Sequence, residues 1–340
     1  MLILMKIGAT PDQVDKVRRM AQSLGFEPSA FDLRNHAAIG FVDGEDPPDP
    51  RLFESLAGVV RVIPTSRPLR HTADPATARN AVRVGPASIG AGGLTLIAGP
   101  CAVESEEQLL PLARTLQRCG VDILRGGAYK PRSSPYDFQG LGREGLALLA
   151  QARQITGLPV VTEAVDDASL ALVEEHADMI QIGARNMQNY ALLKRTGRSR
   201  LPVFLKRGMS ARLEDLLLAA EYVIDQGNPN VVLCERGIRT FSAHSRFTLD
   251  LSIVPQIRRS SHLPIVVDPS HASGQSHSVA PLARAAVAAG ADGVMVEVHG
   301  DPQHALSDGH QAILPEEFEV LADELRALES LIARRRETVG

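Results

Sequence analysis

Four residues of ligand type stand far apart in this chain. They are Cys101 in AGPCAVES, His271 in DPSHASG, Glu297 in VMVEVHG and Asp308 in ALSDG. A thiolate, an imidazole and two carboxylates could together hold one divalent cation. Mixed sulfur, nitrogen and oxygen ligation suits Mn²⁺, Fe²⁺, Co²⁺ or Zn²⁺ and does not choose among them. Spacing alone does not bring the four together, and His299, His304 and His310 stand nearby as competitors. Taken singly, each is equally a satisfied polar group, and Cys101 a small buried residue.

A second set is basic. Arg125 and Lys130 flank RGGAY, and Arg132 and Ser133 follow in KPRSS. Arg185 lies in QIGARN, Lys206 and Arg207 in FLKRG, and Arg236 in CERG. Neighbouring glycines let a ligand approach the backbone closely. Arginine forks and lysine point charges bind phosphate and carboxylate. One such residue is an ordinary rim charge; the whole set points to one or two phosphorylated, acidic substrates. Cationic neighbours are expected to lower the pKa of Lys130 and make it a proton donor. Glu163 is a candidate to orient water, with a structural ion pair as the alternative.

These residues need a scaffold that gathers them. Eight short apolar runs recur at 94–98, 121–125, 158–163, 178–183, 201–206, 230–235, 263–268 and 292–297. Each is rich in Val, Ile and Leu and is followed by a helix-like stretch. Apolar strands alternating with helices imply a parallel sheet covered on both faces. Eight units in about 250 residues imply a (β/α)₈ barrel, whose strand C-termini share one mouth. Arg125, Glu163, Lys206, Glu235, Asp268 and Glu297 end six of the runs and are expected to crowd that mouth. VRVGPASIG (82–90) reads as a hairpin lid on the barrel's N-terminal end.

Residues 1–70 read as a separate module. LILMKI is strand-like, and Thr10-Pro11-Asp12-Gln13 starts a helix that Gly25 stops. Strands are expected at 27–32, 37–42 and 58–63, with a short helix near 50–57. The order βαββαβ implies a ferredoxin-like sandwich. Residues 71–81 read as a linker, and 82–340 as the catalytic barrel.

Composition narrows the class. The chain has 340 residues, 44% of them hydrophobic, enough for a large core and more than one domain. A net charge of −4 gives no general pull toward nucleic acid or anionic membrane. Three cysteines at unpatterned spacing argue against a disulfide framework and for a reducing compartment. No apolar segment is long enough to span a bilayer, so the expected location is the cytoplasm.

IAGPCAVES, LRGGAYKPRSSPYDFQGLG, QIGARNMQNYALLK, LKRG, LCERGIRTF, VDPSHASG and EVH…ALSDG together resemble 3-deoxy-D-arabino-heptulosonate 7-phosphate (DAHP) synthase, type I-beta. The likeness covers roughly residues 82–335, and the N-terminal module resembles the ferredoxin-like regulatory domain of some members. It implies condensation of phosphoenolpyruvate with erythrose 4-phosphate, the entry to the shikimate pathway. It assigns one divalent metal to Cys101, His271, Glu297 and Asp308. It assigns phosphoenolpyruvate to Arg125, Lys130, Arg185, Lys206 and Arg236, and the aldose phosphate to Arg132 and Ser133. Lys130 and Glu163 remain the catalytic candidates, and no organic cofactor is needed. Ser133 stands where the family usually has Thr, and EPSAFD (27–32) lacks the His and Ser of some regulated members. An aromatic end product is the expected effector, and a homodimer or homotetramer the expected assembly. Two rivals are an octulosonate-phosphate synthase, which typically shows KAN where KPR stands at 130–132, and a non-catalytic phosphometabolite sensor.

Overall fold

The computed structural model of the protein describes residues 1–33, 36–41, 48–63, 69, 71–72, 79–132 and 134–339. It divides into two compact units, Met1–Pro68 and Leu69–Gly340. Of the linker expected at 71–81, residues 73–78 lie outside the described ones. His71 and Thr72 are tied to the second unit, their backbone N–H groups donating to Glu221 Oε1 at 2.8 and 2.7 Å. Among the described residues, no helix is long and apolar enough to cross a membrane.

The first unit runs β1 (Leu2–Met5), helix Pro11–Ser23, β2 (Ser29–Leu33), β3 (His36–Gly40), helix Arg51–Glu54 and β4 (Val59–Ile63). Its sheet is antiparallel in the order β2-β3-β1-β4, the ferredoxin-like arrangement. The first helix starts where the sequence signals it. Thr10 Oγ1 accepts the Gln13 N–H, and Gln13 Oε1 accepts the Thr10 N–H. Val17 and Ala21, one turn apart, join Ile3, Met5, Ile39 and Phe53 in a core of this unit's own.

The second unit opens with a hairpin, β5 (Val82–Val84) and β6 (Ala87–Ile89). Eight parallel strands follow: β7 (Thr95–Gly99), β8 (Ile123–Arg125), β9 (Val160–Ala164), β10 (Met179–Ile182), β11 (Val203–Lys206), β12 (Val231–Glu235), β13 (Ile265–Val267) and β14 (Gly293–Glu297). Each pairs with the next and β14 pairs with β7, closing a barrel. Helices between them cover its outside, packing on outward residues such as Leu96, Leu124, Val160, Ile180 and Val203. The hairpin plugs the N-terminal end. Val82, Val84 and Ile89 join Ile97, Ile123, Val161, Met179, Phe204, Val232, Val266 and Met295 inside.

Strand side chains alternate between inside and outside. Two residues beyond each inner apolar residue comes the next inward position, at the mouth. Ile123 leads to Arg125, Val161 to Glu163, Met179 to Gln181, Phe204 to Lys206, Val266 to Asp268 and Met295 to Glu297. The same parity corrects one expectation. On β12 the inward residues are Val232 and Cys234, so Glu235 faces outward and is absent from the mouth. Arg207, one step past the inward Lys206, turns away with it.

Candidate active site

The mouth holds a pocket lined by Arg125, Lys130, Arg132, Arg185, Lys206, Arg236 and Arg246, with Glu163, Gln181, His271 and Asp308 among them. Two of the cations are already paired inside the barrel. Arg125 Nη1 donates to Glu297 Oε1 at 2.6 Å, and Lys206 Nζ to Asp268 Oδ2 at 2.6 Å. All four are almost fully buried, so neither member of a pair can lose its partner cheaply.

Asp268 also fixes the imidazole. It caps the short helix Pro269–Ser273, its Oδ1 accepting the His271 N–H, while Oδ2 lies 2.7 Å from His271 Nδ1. Burial keeps the imidazole pKa below its ordinary value despite the nearby carboxylates. A neutral ring that donates from Nδ1 leaves the Nε2 lone pair free for a metal. That Nε2 is 3.2 Å from Glu297 Oε1.

Cys101 sits two residues past β7. Its Sγ is 2.9 Å from Lys130 Nζ, 3.2 Å from Asp308 Oδ2 and 3.4 Å from Ser307 Oγ. Burial, and then the Glu297 charge, push its thiol pKa up to about 12. A bound divalent ion would reverse that preference, because a coordinating thiol gives up its proton. Asp308 is the one non-glycine described residue in the left-handed region, at φ 52°. Its carboxyl stays below the ordinary range because His271, Cys101 and the nearby cations outweigh burial.

The ligand atoms of Cys101, His271 and Asp308 all lie within 4.8 Å of one another. Glu297 stands beside them, engaged by Arg125 and by Gln311 Nε2 at 2.6 Å. One sulfur, one neutral imidazole and carboxylate oxygens fit a transition-metal dication. The competing histidines are elsewhere: His299 faces Glu104 at 3.5 Å, His304 pairs with Asp301 at 2.7 Å, and neither they nor His310 line the pocket.

The lysine expectation is corrected in sign. Burial and Arg125 oppose charge on Lys130, but Cys101, Glu297 and Glu163 outweigh them, so its pKa rises. Lys130 is therefore a cation at neutral pH. Glu163 makes no ion pair among the described residues. Its Oε2 accepts from Gln181 Nε2 at 3.0 Å, and a Cβ on Gly183 would lie 2.0 Å from its Oε1, so only glycine leaves room.

Arg185 projects from the turn Ala184–Asn186 into the pocket. Arg132 Nη1 donates to Ser307 Oγ at 2.8 Å; Ser133 lies outside the described residues. Arg236 is buried with its guanidinium 4.5 Å over the Phe247 ring, and its Nη1 has no partner among the described residues. Burial lowers its pKa. An unpartnered buried guanidinium is a waiting anion site. Arg207 is not part of it: its Nη1 pairs with Glu235 at 2.8 Å and Asp250 at 2.9 Å.

Sequence reading missed Gln181, Ser307, Gln311 and Arg246. Strand parity would have found Gln181, and Ser307 stands next to Asp308. Gln311 and Arg246 carry no periodic signal.

Comparison with known proteins shows the family and the fold. The profile of the DAHP synthetase I family matches residues 75–334, and that of the DAHP synthase ferredoxin-like domain matches residues 1–67. A phospho-2-dehydro-3-deoxyheptonate aldolase of Thermotoga maritima is 45% identical over 96% of this chain and 97% of its own. A 2-dehydro-3-deoxyphosphooctonate aldolase of Syntrophotalea carbinolica is 32% identical over 72% of this chain and 94% of its own. The crystal structure of the Thermotoga maritima DAHP synthase superposes with a TM-score of 0.87 at 44% identity, covering 98% of both chains. A truncated form of that synthase covers 78% of this chain and 98% of its own, with a TM-score of 0.74. The chain belongs to the DAHP synthetase I family.

Proposed function

We propose that this enzyme condenses phosphoenolpyruvate with erythrose 4-phosphate to give DAHP and inorganic phosphate. The observation that carries the reading is one barrel mouth where a Cys–His–Asp donor cluster adjoins seven cationic side chains. Two phosphorylated substrates with a carboxylate between them need that density of positive charge. The name of the Thermotoga relative and the family match support the same reaction.

In this reading Arg125, Lys130, Arg185, Lys206 and Arg236 hold phosphoenolpyruvate, and Arg132 with Ser133 holds the distal phosphate of the aldose. Fixing both anions in one pocket replaces a bimolecular encounter by a positioned one. C3 of phosphoenolpyruvate bonds to the aldehyde carbon, and water delivers its oxygen to C2. The bond between C2 and the phosphate oxygen then breaks, leaving a ketone and inorganic phosphate; of the two protons the water gives up, one leaves on the phosphate and the other restores the Lys130 ammonium. Lys130 gives its proton to the aldehyde oxygen as the new bond forms. The alkoxide is a stronger base than a lysine amine, so the raised Lys130 pKa does not bar that transfer. Glu163, steadied by Gln181, orients the water. A divalent ion held by Cys101, His271, Glu297 and Asp308 supplies Lewis acidity toward the aldehyde when bound. The first unit is the regulatory element, an aromatic end product its effector, and the working form a homo-oligomer.

The test is consumption of phosphoenolpyruvate by chelator-treated protein, with and without added Mn²⁺, offered erythrose 4-phosphate or arabinose 5-phosphate. The reading expects turnover with the four-carbon sugar only after metal is restored. Preference for the five-carbon sugar would move the chain to the octulosonate branch, and full turnover without metal would remove the ligand assignment.

A further inference from the structure

The loop between β12 and the helix Ile253–Ser260 brings one more cation to the pocket. Its backbone is docked on the His271 helix: Arg246 N–H donates to Ser273 O at 3.0 Å and Phe247 N–H to Ala272 O at 2.8 Å. Two glycines in the left-handed region make that docking possible. A Cβ on Gly237 would lie 2.7 Å from Phe247 Cβ, and one on Gly274 would lie 2.8 Å from Arg246 Cβ. Arg246 is thus held by main chain, not by side-chain chance.

Its guanidinium is only partly used. Nη1 donates to Gln311 Oε1 at 3.1 Å and to Asp308 Oδ1 at 3.3 Å. Nε and Nη2 have no partner among the described residues, and the side chain lines the pocket. Phe247 carries Arg236 at 4.5 Å and Arg246 at 5.8 Å from its ring centroid. Arg246 and Arg185 are also the cations whose charge acts on Arg236. Arg236 and Arg246 thus share one aromatic ring, Arg185 lines the same pocket, and Arg236 keeps a buried, unpartnered Nη1. A ligand of high negative charge density suits that arrangement, and fork-shaped donors suit phosphate.

We infer that Arg246 is a further phosphate-binding residue, sharing with Arg236 and Arg185 the phosphoryl group of phosphoenolpyruvate. This rests on the proposed function and adds a residue that the sequence motifs did not single out.

The test is calorimetric titration of phosphoenolpyruvate into full-length, chelator-treated protein, comparing wild type with Arg246→Gln and Arg246→Lys. Arg246→Gln should raise the Kd at least about tenfold, the loss of one charge-assisted contact, and Arg246→Lys should recover part of it. The KM for erythrose 4-phosphate should stay within about twofold in the metal-loaded enzyme. Co²⁺ binding, read from thiolate-to-cobalt absorbance, reports separately on whether Asp308 is merely steadied. Unchanged phosphoenolpyruvate affinity in Arg246→Gln, with or without weaker Co²⁺ binding, overturns the inference. So does a rise confined to the KM of the aldose phosphate, which would seat Arg246 on the other substrate. A wild-type protein that binds no phosphoenolpyruvate would sink the proposed function itself, a result distinct from a variant that merely matches a binding wild type.

Discussion

Asp268 ties Lys206 of the anion pocket to His271 of the donor cluster, and replacing it should show this. Its Oδ2 serves Lys206 Nζ at 2.6 Å and His271 Nδ1 at 2.7 Å, and its Oδ1 accepts the His271 N–H at 2.9 Å. Its side chain is fully buried and that of Lys206 is 4% exposed. Asp268→Ala therefore strands an ammonium in the barrel interior, which costs about 3–5 kcal/mol. Loss of the helix cap alone costs about 1 kcal/mol. The two losses share one carboxylate and do not simply add, so about 4 kcal/mol is the expected total. For a unit of this size that lowers Tm by on the order of 8–16 °C. Asp268→Asn keeps an oxygen for the His271 N–H but turns an uncharged amide toward Lys206. It should recover only the cap, about 1 kcal/mol. Urea and thermal unfolding by circular dichroism, with chelator present, measure both without metal stabilisation. A loss in Asp268→Ala of less than about 1 kcal/mol would mean the pair behaves as a solvated surface bridge, and the reasoning would fail.

Other consequences are testable in the same way. Gly183→Ala puts a Cβ 2.0 Å from Glu163 Oε1. It should cost about 1–3 kcal/mol of stability and lower kcat more than it raises the KM of phosphoenolpyruvate, and wild-type kcat would refute the role given to Glu163. The Glu235 carboxyl pKa is raised by burial, against the pull of Arg207. The folded chain then binds that proton more tightly than the unfolded one, so this contribution to stability is full below the ordinary glutamate pKa of about 4.3 and fades as pH rises through the raised value. Glu235→Gln should gain on wild type as pH rises across that range; a pH-independent difference contradicts the shift. A chain beginning at Leu69 should keep condensation and lose any end-product inhibition shown by the full chain, and retained inhibition would place the effector site on the barrel.

The barrel was legible because its strands are buried on both faces and read as apolar runs between helices. Thr10-Pro11-Asp12-Gln13 announced its helix through local capping chemistry, which needs no tertiary context. Strand-end charges announced the mouth, but their direction depends on a parity set inside the barrel. Val232 and Cys234 occupy the inner face of β12, which sends Glu235 outward to Arg207. Met179 occupies that face on β10, which sends the uncharged Gln181 inward beside Glu163. The sign of the Lys130 shift depended on Cys101, Glu297 and Glu163, residues distant in sequence, outweighing burial and Arg125. Arg246 reaches the pocket only because Phe247 docks against Ala272, a contact made by folding and written in no local pattern.

If the proposed reaction is right, the donor cluster and the anion pocket form one site. Crystals grown with Mn²⁺ and phosphoenolpyruvate test it directly through the manganese anomalous signal. One strong peak bonded by Cys101, His271, Glu297 and Asp308 is expected, with the phosphoryl group of phosphoenolpyruvate against Arg236 in the same pocket. Manganese bound away from Cys101 and His271, or phosphoenolpyruvate bound outside the barrel mouth, would contradict it.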